Sequence, residues 1–97
     1  MFSKEKLSLV LAEFMGTAML TSIVLVVSNM FGLGTAGWYT ALSAGVALAV
    51  IVGVFGHVSG AHVNPAVTLG LWTLKKIETT TAIVYICSQM LGGATAL

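Results

Sequence analysis

Ninety-seven residues, 58% hydrophobic and 7% charged, do not make a soluble domain, whose surface needs about a quarter of its residues charged. A net charge of +1 offers nucleic acid no attraction, and disorder needs lower hydrophobicity and higher charge. One cysteine, two histidines and three acids exclude an internal disulfide and point to no metal site, no cofactor and little acid–base chemistry, which leaves an integral membrane protein among membrane lipids, with room for about three spans of roughly 20 residues.

The first apolar run, Leu7 to Phe31, carries one charge, Glu13. It is longer than the apolar core of a cleavable signal peptide and shows no clear cleavage site. A carboxylate inside a span is rare; it is functional, as in a proton relay, or paired as a structural brace. Thr17, one turn on, shares its helix face. An uncharged loop from Gly32 to Gly37 leads to the second run, Trp38 to Gly56, which has no charge. Small residues recur in it at every fourth position, Ala41, Gly45, Ala49 and Gly53, a stripe that lets another helix pack closely in lipid. Trp38, Tyr39 and Trp72 suit the membrane interface. The last run, Thr79 to Leu97, is uncharged too, and Cys87 within it reads as a small buried apolar residue. The methionines read as packing residues. Apolar and polar residues do not alternate, so the runs predict helices and not strands.

The third run, Val58 to Leu74, is broken by Pro65 and a polar knot. The residue before a proline favours extended backbone, proline suits the first helical turn, and asparagine is a strong N-cap. The spacing predicts an extended segment from about Ser59 and a helix from Pro65 to Leu74. Those ten residues make about 15 Å of helix, half a bilayer.

The cations are Lys4, Lys6, Lys75 and Lys76. If the third run crossed the membrane, the two pairs would face opposite sides. If it dips in and returns, all four share one side, and the positive-inside rule puts the N-terminus in the cytoplasm. Irregular backbone at membrane depth is tolerated only when buried in protein or lining a water-filled cavity. Here it lies beside the positive end of a half-helix, an arrangement suited to passing small polar solutes or binding ions. The pattern points to a pore or transporter and not to an enzyme.

The stretch Ser59-Gly60-Ala61-His62-Val63-Asn64-Pro65-Ala66-Val67-Thr68 resembles the signature of the major intrinsic proteins, the aquaporin and glycerol-facilitator family. Ala12-Glu13-Phe14-Met15-Gly16-Thr17 resembles that family's first-helix motif, and Tyr85 with Gln89, Gly92 and Gly93 its third helix. The resemblance covers nearly the whole chain but only the first of the family's inverted repeats. It implies an all-α integral membrane fold with an aquaporin-like first repeat: three transmembrane helices (about 7–31, 38–56 and 79–97) and a re-entrant loop and half-helix (about 58–74). It implies a passive channel for water or small neutral solutes such as glycerol, in the cell membrane, assembled as a homotetramer. Asn64, Pro65 and Ala66 would stand at the pore centre, with Asn64 donating its amide. Carbonyls of Gly60, Ala61 and His62 would form a ladder of acceptors, and Glu13 would brace the loop by accepting its amides.

One position departs from the family. Ala44, 20 residues before Asn64, stands where water-selective relatives carry Phe and glycerol facilitators Trp. A methyl there implies a wider constriction. His57 falls near the cytoplasmic mouth, where it could sense pH. Leu97 ends the chain inside an apolar run, which reads as an N-terminal half that needs a second repeat, or an inverted copy of itself. Other classes remain open: a repeat of an ion- or proton-coupled transporter using Glu13, or a non-conducting membrane scaffold.

Overall fold

A computed structural model describes residues 4–31, 34 and 37–97. Residues 32, 33, 35 and 36 of the uncharged loop lie outside the described residues. The described residues form four helices and no strand: α1 (Lys4–Phe31), α2 (Gly37–Ser59), α3 (Pro65–Thr73) and α4 (Thr79–Ala96). α1 packs against α2 on one side and α4 on another, and α3 leans on α4. The long axis, 46 Å, follows from helices of 28 and 23 residues, which run roughly 42 and 34 Å.

Glycines set the close approaches. A methyl group at Gly92 of α4 would collide with the backbone carbonyl of Phe14 in α1. One at Gly16 of α1 would stand 2.6 Å from Val63 Cγ1 and 3.3 Å from Ile51 Cγ2. Gly16 thereby admits both α2 and the loop that follows it. Ile51, Ala61 and Val63 form the apolar core there, with Leu20 and Phe55 against it.

α2 buries Thr40, Ala47 and Ile51, not its small-residue stripe. Ala41, Gly45, Ala49 and Gly53 are all exposed, and a methyl at Gly45 or Gly53 would meet nothing within 4 Å. The stripe therefore packs on no described element of this chain. Cys87 is exposed as well, not buried. Met15, Met19, Met30 and Met90 are exposed and pack no core.

The distribution of polarity is inverted relative to a soluble domain. Leu7, Leu11, Met15 and Met19 of α1 and Leu42, Val46, Val50 and Val54 of α2 are exposed, while Glu13, Ser59, Thr68 and Gln89 are buried. An apolar exterior over a polar interior suits a bundle that faces lipid. α1 and α2 are each long and apolar enough to cross a bilayer.

α2 outlasts the apolar run that predicts it. Nothing in His57-Val58-Ser59 opposes a helix, and the Gly60 N–H still reaches the Gly56 carbonyl at 2.9 Å. The helix stops where Gly60 takes φ +85, a left-handed conformation that glycine adopts without steric cost. The irregular segment thus begins at Gly60 and not at Ser59. α3 starts at Pro65, with Asn64 extended at φ −157 and its Oδ1 accepting from the Ala66 N–H at 2.8 Å. It ends one residue short of Leu74. There the Lys75 N–H bonds the Trp72 carbonyl and the Lys76 N–H bonds the Leu71 carbonyl, with Lys75 at φ +60. This is a Schellman closure in which lysine occupies the usual glycine position.

Candidate functional site

Glu13 organises the loop between α2 and α3. It has no exposed surface. Its Oε2 accepts from the Ser59 hydroxyl at 2.6 Å and the His62 N–H at 3.2 Å; its Oε1 accepts from the Val63 N–H at 2.9 Å and Gln89 Nε2 at 2.6 Å. The Ser59 hydroxyl oxygen in turn accepts from the Ala61 N–H at 3.2 Å. Three consecutive amides that no helix or strand serves are therefore satisfied, two by Glu13 directly and one through Ser59. The Tyr85 hydroxyl donates to the Ser59 carbonyl at 2.7 Å, which ties α4 to the end of α2.

These bonds hold a contorted backbone. Ala61 and Val63 have φ of +49 and +46, in the left-handed region that disfavours a side chain and most of all a β-branched one. Such residues cost about 1–3 kcal/mol each. Hydrogen bonds to a carboxylate contribute about 1.5–3 kcal/mol each, so four of them outweigh two strained residues. The amides are turned to Glu13, and the carbonyls of Gly60, Ala61 and His62 accept no hydrogen bond among the described residues.

Asn64, Pro65 and Ala66 are exposed. Because Asn64 caps α3 through its oxygen, its Nδ2 remains to donate. Asn64 and Pro65 line an open cleft of about 610 Å³ with Thr17, Leu25, Gln89 and Gly93. Ala44 is half-buried on α2 and does not line that cleft. Thr17 takes no part in the brace: its hydroxyl is buried without a hydrogen-bond partner. It shares a helix face with Glu13, but among the described residues no donor or acceptor reaches its hydroxyl. Gln89 Oε1 is the other buried polar atom without a partner among the described residues. His57 is exposed in the last turn of α2. No cluster that could hold a metal ion occurs among the described residues.

Ser59, Thr68, Tyr85 and Gln89 join Glu13 in one hydrogen-bonded knot, and residue spacing alone gave none of them a role. Gln89 is 1% exposed and bonds Glu13 across 76 positions of sequence. One signal was available: Tyr85 and Gln89 are four apart on an apolar helix, hence on one face, and polar groups in such a helix face inward.

The chain matches the Major intrinsic protein family over residues 1–97. It is 38% identical over 84 residues to the lens fiber major intrinsic protein of Gallus gallus, covering 86% of this chain and 32% of that protein. It is 46% identical over 55 residues to aquaporin AqpM of Methanothermobacter thermautotrophicus, covering 57% and 22%. It is 39% identical over 89 residues to aquaglyceroporin-2 of Rhizophagus irregularis, covering 88% and 28%. The chain spans about a fifth to a third of the length of these relatives. With the helices, the braced loop and the match over its full length, the chain belongs to the major intrinsic protein family.

Proposed function

We propose that this chain is the first half of a passive transmembrane channel for water or small neutral solutes such as glycerol. The observation that carries the reading is the loop: its amides are held by Glu13 and Ser59, its carbonyls at Gly60, Ala61 and His62 accept no hydrogen bond among the described residues, and it runs into a helix capped by Asn64. A solute that leaves bulk water needs replacement partners. The carbonyls accept from it, and Asn64 Nδ2 donates to it. The positive end of α3 repels cations.

In this reading α1, α2 and α4 cross the cell membrane and the segment from Gly60 to Thr73 re-enters. Lys6 of α1 and Glu78 of the α3–α4 turn line one small cavity, so the two ends that bear the lysines adjoin. The positive-inside rule then places the N-terminus in the cytoplasm. An inverted second half fills the cleft at Asn64. A homotetramer is proposed from the family likeness. A proton-coupled transporter using Glu13 is disfavoured, since four donors occupy the lone-pair positions of its carboxylate.

The test is flux in vesicles. The full-length protein passes water without ions, and Asn64→Asp, which puts an anion where the donor was, admits cations. An unchanged ion leak in Asn64→Asp across a range of pH would remove Asn64 from the path. Residues 1–97 alone, lacking the mirrored half, conduct nothing; water flux at whole-channel rates from that piece would replace this reading with a dimer of half-channels.

A further inference from the structure

We propose that Gln89 and Thr68 are positioning residues that fix the His62 ring as a hydrogen-bond donor through Nε2, which adds a side-chain donor beside the carbonyl acceptors of the loop. This rests on the reading of that loop as the solute path.

The chain of donors has one direction. Gln89 Nε2 lies 2.6 Å from Glu13 Oε1 and 2.9 Å from Thr68 Oγ1. A carboxylate oxygen that already receives the Val63 N–H acts as an acceptor, so the nitrogen end of the Gln89 amide must face it. That nitrogen has two hydrogens, and the second goes to Thr68. Thr68 is wholly buried, and its hydroxyl lies 2.9 Å from His62 Nδ1. The hydroxyl has two lone pairs but one proton, and among the described residues His62 Nδ1 is the one acceptor within its reach, so in this wholly buried site the proton goes to Nδ1. An imidazole whose Nδ1 accepts carries its proton on Nε2.

The ring is also held in place. Tyr85 meets it edge-on with centroids 4.9 Å apart, and Tyr85 is itself anchored on the Ser59 carbonyl. A methyl at Gly60 would stand 3.4 Å from His62 Cδ2 and Nε2, so the Nε2 edge lies over Gly60, which is exposed and has no side chain to cover it. Nε2 makes no hydrogen bond among the described residues. The Nε2–H and the loop carbonyls thus flank the same short stretch of backbone. A hydroxyl-bearing solute uses both: it donates to a carbonyl and accepts from Nε2–H. Water and polyols fit this pairing. A solute that only donates, such as an ammonium ion, gains nothing from the ring.

The experiment is nitrogen NMR of histidine-labelled full-length protein in lipid nanodiscs, with the His62 signal assigned by its loss in His62→Gln. The expected result is a bare Nδ1 and a protonated Nε2 at neutral pH. Thr68→Ser keeps that pattern. Thr68→Val has nearly the same shape without the hydroxyl; it keeps the helical signal but melts below Thr68→Ser because the second Gln89 N–H loses its acceptor, and it mixes the tautomers and lowers glycerol flux several-fold. A proton on Nδ1 in the wild type would overturn the relay without any variant. Mixed tautomers in Thr68→Val with unchanged flux would overturn the donor role. If the wild type shows the expected tautomer but passes no solute, the solute-path reading fails and the donor role fails with it, while the relay stands.

Discussion

The loop after α2 and the outer face of α2 are both made of small residues, yet one is crowded and the other bare. At the loop, Gly16, Ala61 and Val63 pack to contact, and Glu13 ties the backbone down. On α2, Ala41, Gly45, Ala49 and Gly53 are exposed, and a methyl at Gly45 or Gly53 would meet nothing within 4 Å among the described residues. Small residues permit close approach but do not name the neighbour. Hydrogen-bonding groups do: Glu13 needs donors and the loop amides need acceptors, and the His62 and Val63 amides meet the Glu13 carboxylate. The loop amides are therefore satisfied within this chain, whereas the described residues leave the stripe uncovered.

The largest expected effect breaks the crowded side of that comparison. Glu13→Gln keeps the volume but leaves one acceptor oxygen where there were two, and turns an NH2 toward groups that donate. Losing two or more bonds to a carboxylate, with donors stranded in a buried site, should cost at least about 3 kcal/mol. Unfolding in detergent followed by circular dichroism measures it. Wild-type stability in Glu13→Gln would mean that the loop holds its shape without the brace.

A smaller effect contrasts glycines. Gly92→Ala drives a methyl into the Phe14 carbonyl, and overpacking of this kind costs about 1–3 kcal/mol. Gly45→Ala and Gly53→Ala have open space in this chain, so each should stabilise residues 1–97 by up to about 1 kcal/mol through helix propensity. In the full-length protein the sign reverses if a helix crosses the stripe. Stabilisation in both contexts would leave the stripe facing lipid alone.

The same contrast explains what could be read in advance. Asn64 and Pro65 announce the cap and start of α3 because both preferences are local. Glu13 stands out because a lone charge in an apolar run demands partners. The partners themselves lie 46 to 76 positions away, and of them only Gln89 leaves a local mark, its spacing of four from Tyr85. The end of α2 is not legible in its sequence, since His57, Val58 and Ser59 suit a helix as well as a loop and only the turn at Gly60 decides. Thr17 was grouped with Glu13 because i and i+4 share a face, but sharing a face does not supply a hydrogen-bond partner. The exposure of Cys87 was readable: it lies two residues from both Tyr85 and Gln89, on the far side of α4 from the buried face.

Ala44 carries the smallest expected effect and sharpens the bare side of the comparison. It is half-buried and adjoins Gly45 of the exposed stripe, so its surroundings depend on what covers α2. We propose that its methyl, standing where relatives carry an aromatic ring, widens the constriction enough to pass solutes at least as large as glycerol. A ring adds bulk that a close-packed wall absorbs only by narrowing the lumen. Water, being smaller, tolerates the narrowing better. Ala44→Phe in the full-length protein should therefore reduce glycerol flux several-fold and water flux less, with little change in stability. Stopped-flow light scattering on vesicles under water and glycerol gradients separates the two. A bulky residue from the second half could instead fill the space beside Ala44. In that case the wild type excludes glycerol, Ala44→Phe alters neither flux, and the constriction is set elsewhere.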